Sequence, residues 1–365
     1  MSKRTQKLLI IICALVLCII IVILSVNTDG KKKKTDYTVG YILTGSTEET
    51  GWNGLQYQAV KAACDEHNME LIVKENIAEN TGDCINAVSE LIEAKADLII
   101  LTSYNYSEEC YELIRDNPKI VFYSNASDRE CDNLTSYFAC MYQGRYISGI
   151  IAGMKTDTDR IGYVAAMENS EVNRGINAFT LGVRSVNPDA TVYVVHTNTW
   201  SDEEKEKAAA AKLIDEAGVD VITYHQNEPY VVEIAEAAGI YSIGYHKKPE
   251  NTTDKYLTTV SCDWNQIYGE LIERFLKGNA NATRHIWIGM EKGAVDCIDY
   301  SAEVTPDILA VVDEKKNEII AGKEIFSGVI YDTEGNQHCG ENETISDETL
   351  LKDIDWYVEG VKLYD

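Results

Sequence analysis

Residues 83–123 read DCINAVSELIEAKADLIILTSYNYSEECYELIRDNPKIVFY. Apolar residues recur at helical spacing in Asp83–Ala94 and again in Glu108–Arg115, and short apolar runs follow each of them at Leu98–Leu101 and Ile120–Tyr123. Helical patterns that alternate with short, fully apolar strands are typical of a parallel sheet covered by helices on both faces. This stretch therefore predicts an α/β fold.

The same alternation continues on both sides of this stretch. Upstream, strands are predicted at Val39–Leu43 and Leu71–Val73, with a helix over Gly54–His67 between them. Downstream the pattern begins again, and this predicts a second sheet with strands at 160–165, 192–196, 219–224, 241–245 and 257–262 and helices at 143–154, 172–186, 202–217, 231–238 and 264–276.

Two closely joined lobes are the expected result. The chain has only five prolines and no Ser/Gly-rich stretch between the two patterns, so a long flexible linker is not expected. One further helix is predicted at Pro306–Ala321, in a segment too short to form a third domain. We expect residues 1–35 to form an N-terminal anchor and basic linker, residues 36–157 plus 283–365 to form lobe 1, and residues 158–282 to form lobe 2.

The N-terminal segment predicts attachment to a membrane. Leu8–Val26 is a run of 19 residues without a charge, which is long enough to span a bilayer as a helix, and basic residues precede it. Leu17 precedes Cys18 where a lipoprotein signal needs a small residue, and no small-residue cleavage site is evident, so a retained signal anchor is favoured. The bulk of the chain is then expected outside the cytoplasm.

Charge and motifs exclude several classes of function. The formal net charge is −26; residues 1–34 hold 7 of the 33 basic and 1 of the 59 acidic residues, so the remainder carries −32. Such a surface repels nucleic acid. The chain has no G-x-S-x-G elbow, phosphate-binding glycine loop or C-x-x-C pair, so we expect neither an enzyme nor a metal or cofactor site.

Polar and aromatic residues follow nearly every predicted strand. Ligands of open parallel sheets bind beyond the carboxyl ends of the strands, so these segments are expected to line a cleft between the lobes. Aromatic rings with amides suit a flat, hydrogen-bonding ligand such as a purine base or nucleoside, although sugars also stack on tryptophan. His225 and His246 are better explained as hydrogen-bonding groups than as zinc ligands, since no third ligand is evident.

Several short motifs resemble one known family. They are Gly51-Trp52, Gly144-Arg145-Tyr146, Ile161–Ala166, Arg174–Gly182, Ser185–Ala190, Gly244-Tyr245-His246 and Asp355–Val358. Together they resemble the basic-membrane-protein family of ABC-importer substrate-binding proteins, which includes purine nucleoside receptors. The resemblance extends from about Tyr37 to the C-terminus.

The resemblance implies a fold, a partner and a set of ligand-binding residues. The fold is that of type I periplasmic binding proteins, with two Rossmann-like lobes joined by three crossovers that act as a hinge. The partners are a small molecule, expected to be a purine base or nucleoside, and an ABC permease. Trp52 would stack on the base and Trp200 would form a second aromatic face. The other implied ligand-binding residues are Asn53, Ser103, Tyr104, Asn125, Glu171, Gln226, Asn227, His246, Asp263 and Trp264.

Two alternatives remain open at this point. A protein of the same fold that keeps its membrane anchor can act as a ligand sensor instead of a component of an importer. The same aromatic and amide residues would also suit a sugar.

Overall fold

The computed structural model describes residues 37–49 and 51–364. Its strands are β1 (Thr38–Ile42), β2 (Glu70–Lys74), β3 (Leu98–Leu101), β4 (Val121–Asn125), β5 (Leu134–Ala139), β6 (Arg160–Ala165), β7 (Thr191–His196), β8 (Val221–His225), β9 (Tyr241–Tyr245), β10 (Tyr256–Cys262), β11 (His285–Ile288), β12 (Val295–Ile298), β13 (Ile330–Tyr331), β14 (Gln337–Cys339) and β15 (Val361–Leu363).

The α-helices pack around these strands. They are α1 (Trp52–His67), α2 (Asp83–Glu93), α3 (Tyr106–Glu109), α4 (Tyr111–Asp116), α5 (Met141–Lys155), α6 (Ser170–Val186), α7 (Glu203–Lys212), α8 (Tyr230–Ala238), α9 (Trp264–Leu276), α10 (Pro306–Ile320) and α11 (Asp347–Lys352). A π-helical turn, Leu213–Ala217, extends α7, and a 3₁₀ turn covers Met290–Lys292.

Two main sheets confirm the predicted α/β architecture. The first has the strand order β11-β5-β4-β3-β1-β2 and is parallel throughout. The second has the order β12-β10-β9-β8-β6-β7-β15, with only β12 antiparallel to its neighbour. The central strands are almost entirely apolar because helices bury both faces of each sheet, as in β3, where all four residues are buried.

The chain passes between the lobes three times. The first passage lies between β5 of the first sheet and α5, which packs on α6 beside the second sheet. The second follows β10, since α9 returns to pack on α1. The third lies between β11, which joins the first sheet, and β12, which joins the second.

The expected lobe boundaries differ from this arrangement. The expectation that the whole of 283–365 forms part of lobe 1 is wrong, because β12 and β15 belong to the second sheet. The helices α5 and α9 likewise pack on the lobe opposite to the one expected. An apolar helix face shows that a helix must be covered, but it does not show which of two similar sheets covers it.

Candidate functional site

A cavity of about 600 Å³ lies between the two lobes. Its walls come mainly from the segments that follow the strands, as expected for open parallel sheets. From lobe 1 they include Thr44, Trp52, Glu79, Thr102, Ser103, Tyr104, Asn105, Asn125 and Ala126; from lobe 2 and the C-terminal segment they include Met167, Asn169, Ser170, Glu171, Arg174, Trp200, His225, Asn227, Tyr245, His246, Leu351 and Lys352.

A continuous aromatic wall forms one side of the cavity. The Trp52 and His246 rings meet edge-on with centroids 6.0 Å apart, and the His246 ring lies 3.8 Å from the Tyr245 ring. The wall continues through His225, 4.8 Å from Tyr245, to Trp200, 6.1 Å from His225. Trp52 is the member that lobe 1 contributes, so this wall is complete only when the lobes are close together.

A strained turn presents His246 to the cavity. The residue has a φ of 66°, a left-handed conformation that side chains other than glycine rarely adopt. The Lys247 amide donates to the Tyr245 carbonyl at 2.9 Å, and the His246 amide donates to Val260 at 2.8 Å, so the turn is fixed from both sides. Strained backbone of this kind concentrates at ligand-binding sites.

The two histidines of the wall are held in the neutral form. Burial, together with the positive charge of Arg145, lowers the pKa of His246 to about 3. Burial also lowers the pKa of His225 well below its ordinary value, with Arg145 as the next cause. The Nδ1 atoms of both rings have no hydrogen-bond partner among the described residues. A neutral imidazole can donate or accept a hydrogen bond, so both rings can serve a ligand.

Arg145 lies directly behind this wall and is 1% exposed. Its guanidinium carbon is 3.9 Å from the centroid of the Tyr245 ring, and it donates to the Tyr224 carbonyl at 2.9 Å. The guanidinium charge disfavours a second positive charge nearby. The site therefore disfavours positively charged ligand groups next to His246.

A carboxyl group and a guanidinium group face the cavity from the start of α6. Asn169 caps this helix by accepting from the Val172 amide at 3.0 Å. Burial raises the pKa of Glu171, and the nearby Arg174 charge partly opposes that effect. Arg174 donates to the Leu350 carbonyl and lies 4.9 Å from the Trp287 ring. These contacts fix the guanidinium in place at the edge of the site.

A polar cluster from lobe 1 lines another part of the cavity. The Glu79 carboxylate accepts from the Ser103 hydroxyl and from the backbone and side-chain nitrogens of Asn105, at 3.3 and 3.2 Å for the two nitrogens. Tyr104 donates to Asp128 at 3.0 Å. This region offers oxygen and amide groups that suit ligand hydroxyls.

The structure brings most of the predicted site residues to one cavity. Its lining includes Trp52, Ser103, Tyr104, Asn125, Glu171, Trp200, Asn227 and His246. Their roles in ligand binding remain predictions.

Four predicted residues do not line the cavity. Asn53 is tied to Glu49 at 2.7 Å and accepts from Thr44, and Gln226 donates to the Thr197 hydroxyl at 2.7 Å. Asp263 caps α9, and Trp264 packs behind Trp52 with ring centroids 5.1 Å apart. Adjacent positions after a strand point in different directions, so only some of them reach the cleft.

Sequence reasoning missed several lining residues. Glu79 follows β2, a strand whose end was not considered, and that position was a usable signal. Arg174 lies within a helix and Tyr245 within a strand, so a search of loops alone could not find them. Leu351 and Lys352 come from the C-terminal segment, whose return to the cleft has no local sequence signal.

The described residues contain neither a cluster of metal ligands nor a membrane-spanning helix. Within 37–49 and 51–364, no group of three or more His, Cys, Asp or Glu side chains is arranged to hold a metal ion. No helix in this part of the chain is long and apolar enough to cross a membrane. The predicted anchor at Leu8–Val26 lies outside the described residues.

The family is shown by comparison with known proteins. Residues 37–331 match the Bmp family, described as ABC transporter substrate-binding protein PnrA-like. The chain therefore belongs to this family of ABC transporter substrate-binding proteins, whose members are extracytoplasmic and bind solutes without catalysing a reaction. The expected resemblance is confirmed.

Relatives within this class differ in ligand. A purine-binding protein of Brucella abortus is 31% identical over 327 residues, covering 88% of this chain and 92% of the relative. A Haloferax volcanii protein, provisionally named an ABC transporter glucose-binding protein, is 30% identical over 341 residues, covering 92% of this chain and 83% of the relative. A Conexibacter woesei ABC transporter solute-binding protein shares the fold, with a TM-score of 0.63 at 19% identity over 78% of this chain and 97% of that one.

Proposed function

We propose that this protein captures a purine base or nucleoside outside the cytoplasm and delivers it to an ABC permease. The aromatic wall of Trp52, His246, Tyr245, His225 and Trp200 carries this proposal. A flat heterocycle can stack on such rings, and each stacked base contributes about 1–3 kcal/mol. The purine-binding relative supports the same ligand class.

Specificity comes from buried groups that need a partner. The neutral rings of His225 and His246 each keep one nitrogen that no described residue satisfies, and a purine has ring nitrogens and exocyclic groups that can satisfy them. A ligand of similar shape without those groups leaves the imidazoles unpaired and is rejected. We expect binding and release, without bond cleavage; incubation with adenosine should therefore yield no free adenine.

In this proposal, attachment to the membrane keeps the protein beside its permease. The apolar run Leu8–Val26, preceded by basic residues, would act as a retained anchor. The remaining chain, with its strongly acidic surface, would then stay near the outer face of the permease.

A sugar is the second candidate ligand. The cluster of Glu79, Ser103 and Asn105 offers carboxylate and amide groups that suit hydroxyls, and tryptophan rings suit the apolar face of a pyranose. The glucose-binding relative supports this alternative.

Thermal unfolding of the full chain in detergent, with and without ligands, distinguishes the two candidates. The panel is adenine, guanine, adenosine, guanosine, glucose and ribose. A ligand at 100 times its dissociation constant stabilises the folded state by about 2.7 kcal/mol, which gives a measurable increase in Tm. An increase with purine compounds alone supports the proposal. An increase with glucose and none with any purine compound would overturn it and support the sugar.

A further inference from the structure

Two buried cysteine sulfurs meet in lobe 1. The Sγ atoms of Cys84 and Cys110 are 3.2 Å apart, and the two residues are 0% and 1% exposed. Cys84 is the second residue of α2, and Cys110 lies between α3 and α4. Among the eight cysteines that the structure describes, this is the only pair recorded with sulfurs in contact.

The two cysteines lie in different segments of lobe 1, and both segments contribute to the cavity. Glu79 precedes Cys84 by five residues, and Ser103 and Asn105, which hold the Glu79 carboxylate, precede Cys110. Glu109, next to Cys110, accepts from the Asn80 amide at 2.6 Å and from the Gly82 amide at 3.0 Å. A covalent link at this point would therefore fasten the two binding segments of lobe 1 to each other.

We propose that Cys84 and Cys110 form a disulfide in the mature protein and that this bond fixes the lobe 1 side of the binding cavity. A disulfide requires sulfurs about 2.0 Å apart, so the two sulfurs must approach by about 1.2 Å. Members of this family work outside the cytoplasm, where disulfides form and persist. The proposal depends on that location and is independent of whether the ligand is a purine or a sugar.

The bond forms before the pair is buried. Contact with Cys110, together with burial, raises the pKa of the Cys84 thiol, and both sulfurs are out of reach of an external oxidant once the protein has folded. In the folding chain, one thiolate attacks the disulfide of an external oxidant, such as oxidised glutathione or a dithiol–disulfide oxidoreductase. The thiolate of the second cysteine then attacks this mixed disulfide, and the oxidant's sulfur leaves as a thiolate. Overall, the two cysteine thiols lose two protons and two electrons, and the oxidant's disulfide is reduced to two thiols.

Peptide mapping of the full chain tests the bond directly. The chain is refolded in detergent with a mixture of reduced and oxidised glutathione, alkylated while denatured, and digested without reductant. We expect a linked pair of peptides that contains Cys84 and Cys110 as the main form, with Cys64 alkylated. Free, alkylated Cys84 and Cys110 after this treatment, or a link from either residue to a different cysteine, would overturn the proposal.

Unfolding in urea tests the effect of the bond. With the phosphine reductant tris(2-carboxyethyl)phosphine present, the midpoint for the refolded chain should fall, because the reduced chain gains conformational freedom when unfolded. The double variant Cys84→Ala/Cys110→Ala should show no effect of the reductant, and the control Cys64→Ala should keep it. If the double variant does not fold, the unaltered chain and the Cys64→Ala control still test the proposal. A urea midpoint of the unaltered chain that is the same with and without the reductant would contradict a stabilising bond.

Discussion

Trp52 connects the two lobes at the proposed ligand site. Its ring lies 5.1 Å from the Trp264 ring and 6.4 Å from the Phe138 ring within lobe 1, and 6.0 Å from the His246 ring of lobe 2. The lobe 1 rings pack against the indole from behind and support its position in the absence of a ligand. A ligand therefore meets an aromatic surface that is already in place.

Trp52→Ala should weaken purine binding by at least about tenfold, which corresponds to the loss of about 1.4 kcal/mol of stacking free energy. Isothermal titration calorimetry with the purine identified by thermal unfolding measures the change. Tyr331→Ala is a suitable control, because Tyr331 is 42% exposed and does not line the cavity. A dissociation constant that Trp52→Ala leaves unaltered would contradict the role assigned to this residue.

Glu206 makes the stability of lobe 2 depend on pH. The residue is 0% exposed; its Oε1 accepts from the Asp202 amide at 2.9 Å, and its Oε2 has no partner among the described residues. Burial, with Glu228 as the next cause that acts in the same direction, raises the pKa of Glu206 to about 7 from the ordinary value of 4.5. The stabilisation by its bound proton is complete below pH 4.5 and is lost as the pH rises through 7.

Glu206→Gln should therefore stabilise the protein at pH 8 by about 1–3 kcal/mol and have little effect at pH 4.5. Urea unfolding at both pH values measures the two differences in free energy. Glu204→Gln, at an exposed position on the same helix, is the matched control and should show no such dependence. An equal effect of Glu206→Gln at the two pH values would argue against a buried, protonated carboxyl.

The sequence predicts site residues best where the residue lies in a segment that follows a predicted strand. Trp52, Trp200 and His246 lie in segments that follow predicted strands, and all three line the cavity. Gln226 also follows a strand but bonds to Thr197, because consecutive residues there face opposite ways. Glu79 also lies in a segment that follows a strand, β2, but its contacts with Ser103 and Asn105 have no local sequence signal.

At the scale of secondary-structure elements, α5 and α6 approach each other unusually closely. A Cβ atom on Gly149 would lie 2.0 Å from the Phe179 carbonyl oxygen, and one on Gly182 would lie 2.0 Å from the Tyr146 carbonyl oxygen. Backbone atoms cannot rotate away as a flexible side chain can. Both glycines are therefore required by the packing of this helix pair.

Gly149→Ala and Gly182→Ala should each lower the free energy of unfolding by about 3 kcal/mol, since the two helices must separate to admit a methyl group. Gly269→Ala provides the control within α9, because a Cβ there meets no described atom within 4 Å. That substitution should stabilise the protein by about 0.5–1 kcal/mol through helix propensity. Equal stability of all three variants in urea unfolding would contradict close packing of α5 on α6.

Uninterrupted apolar runs and regular helical patterns are predictable, and strands interrupted by polar residues are not. The apolar run Leu98–Leu101 becomes β3 as predicted, and Asp83–Ala94 differs from α2 by a single residue at its end. The strand β5 was missed because Thr135 and Ser136 interrupt its apolar pattern, although both are buried between neighbouring strands. The strands β12 and β15 have only four and three residues, and a charged residue, Asp296 or Lys362, interrupts each short apolar run.

At the scale of the whole molecule, the lobes meet beside the site at a position without a side chain. A Cβ atom on Gly51, just before α1, would lie 3.3 Å from the Asn227 carbonyl oxygen of lobe 2. Across the cleft, Lys352 also lies 3.8 Å from the Glu130 carboxylate. A larger residue at position 51 would therefore hold the lobes apart.

Gly51→Leu should weaken ligand binding by about tenfold or more, because the aromatic wall is then incomplete, whereas the urea midpoint without ligand should change much less. Calorimetry measures the first effect, and small-angle X-ray scattering should show a larger radius of gyration with saturating ligand than for the unaltered chain. Full affinity in this variant would show that binding does not need the lobes as close as they are here.

The two-lobe organisation is predictable from the repeated pattern, but the path of the chain between the lobes is not. Segment 283–365 carries little local signal of secondary structure. Its strands β11, β12 and β15 belong to different sheets because their pairing partners are far away in sequence. Pairing between distant segments depends on the completed edges of both sheets. The expected boundaries therefore failed at the crossovers and not within the lobes.

The three passages of the chain between the lobes also determine when each sheet can be completed. The first sheet lacks an edge strand until residues 285–288 are available, and the second lacks one until residues 361–363 are available. A chain exported from its N-terminus must therefore deliver residue 288 before the first sheet has its full set of strands, and residue 363 before the second sheet does. During export, both incomplete edges are open to wrong pairing, so rapid translocation or a holding chaperone would increase the yield of folded protein.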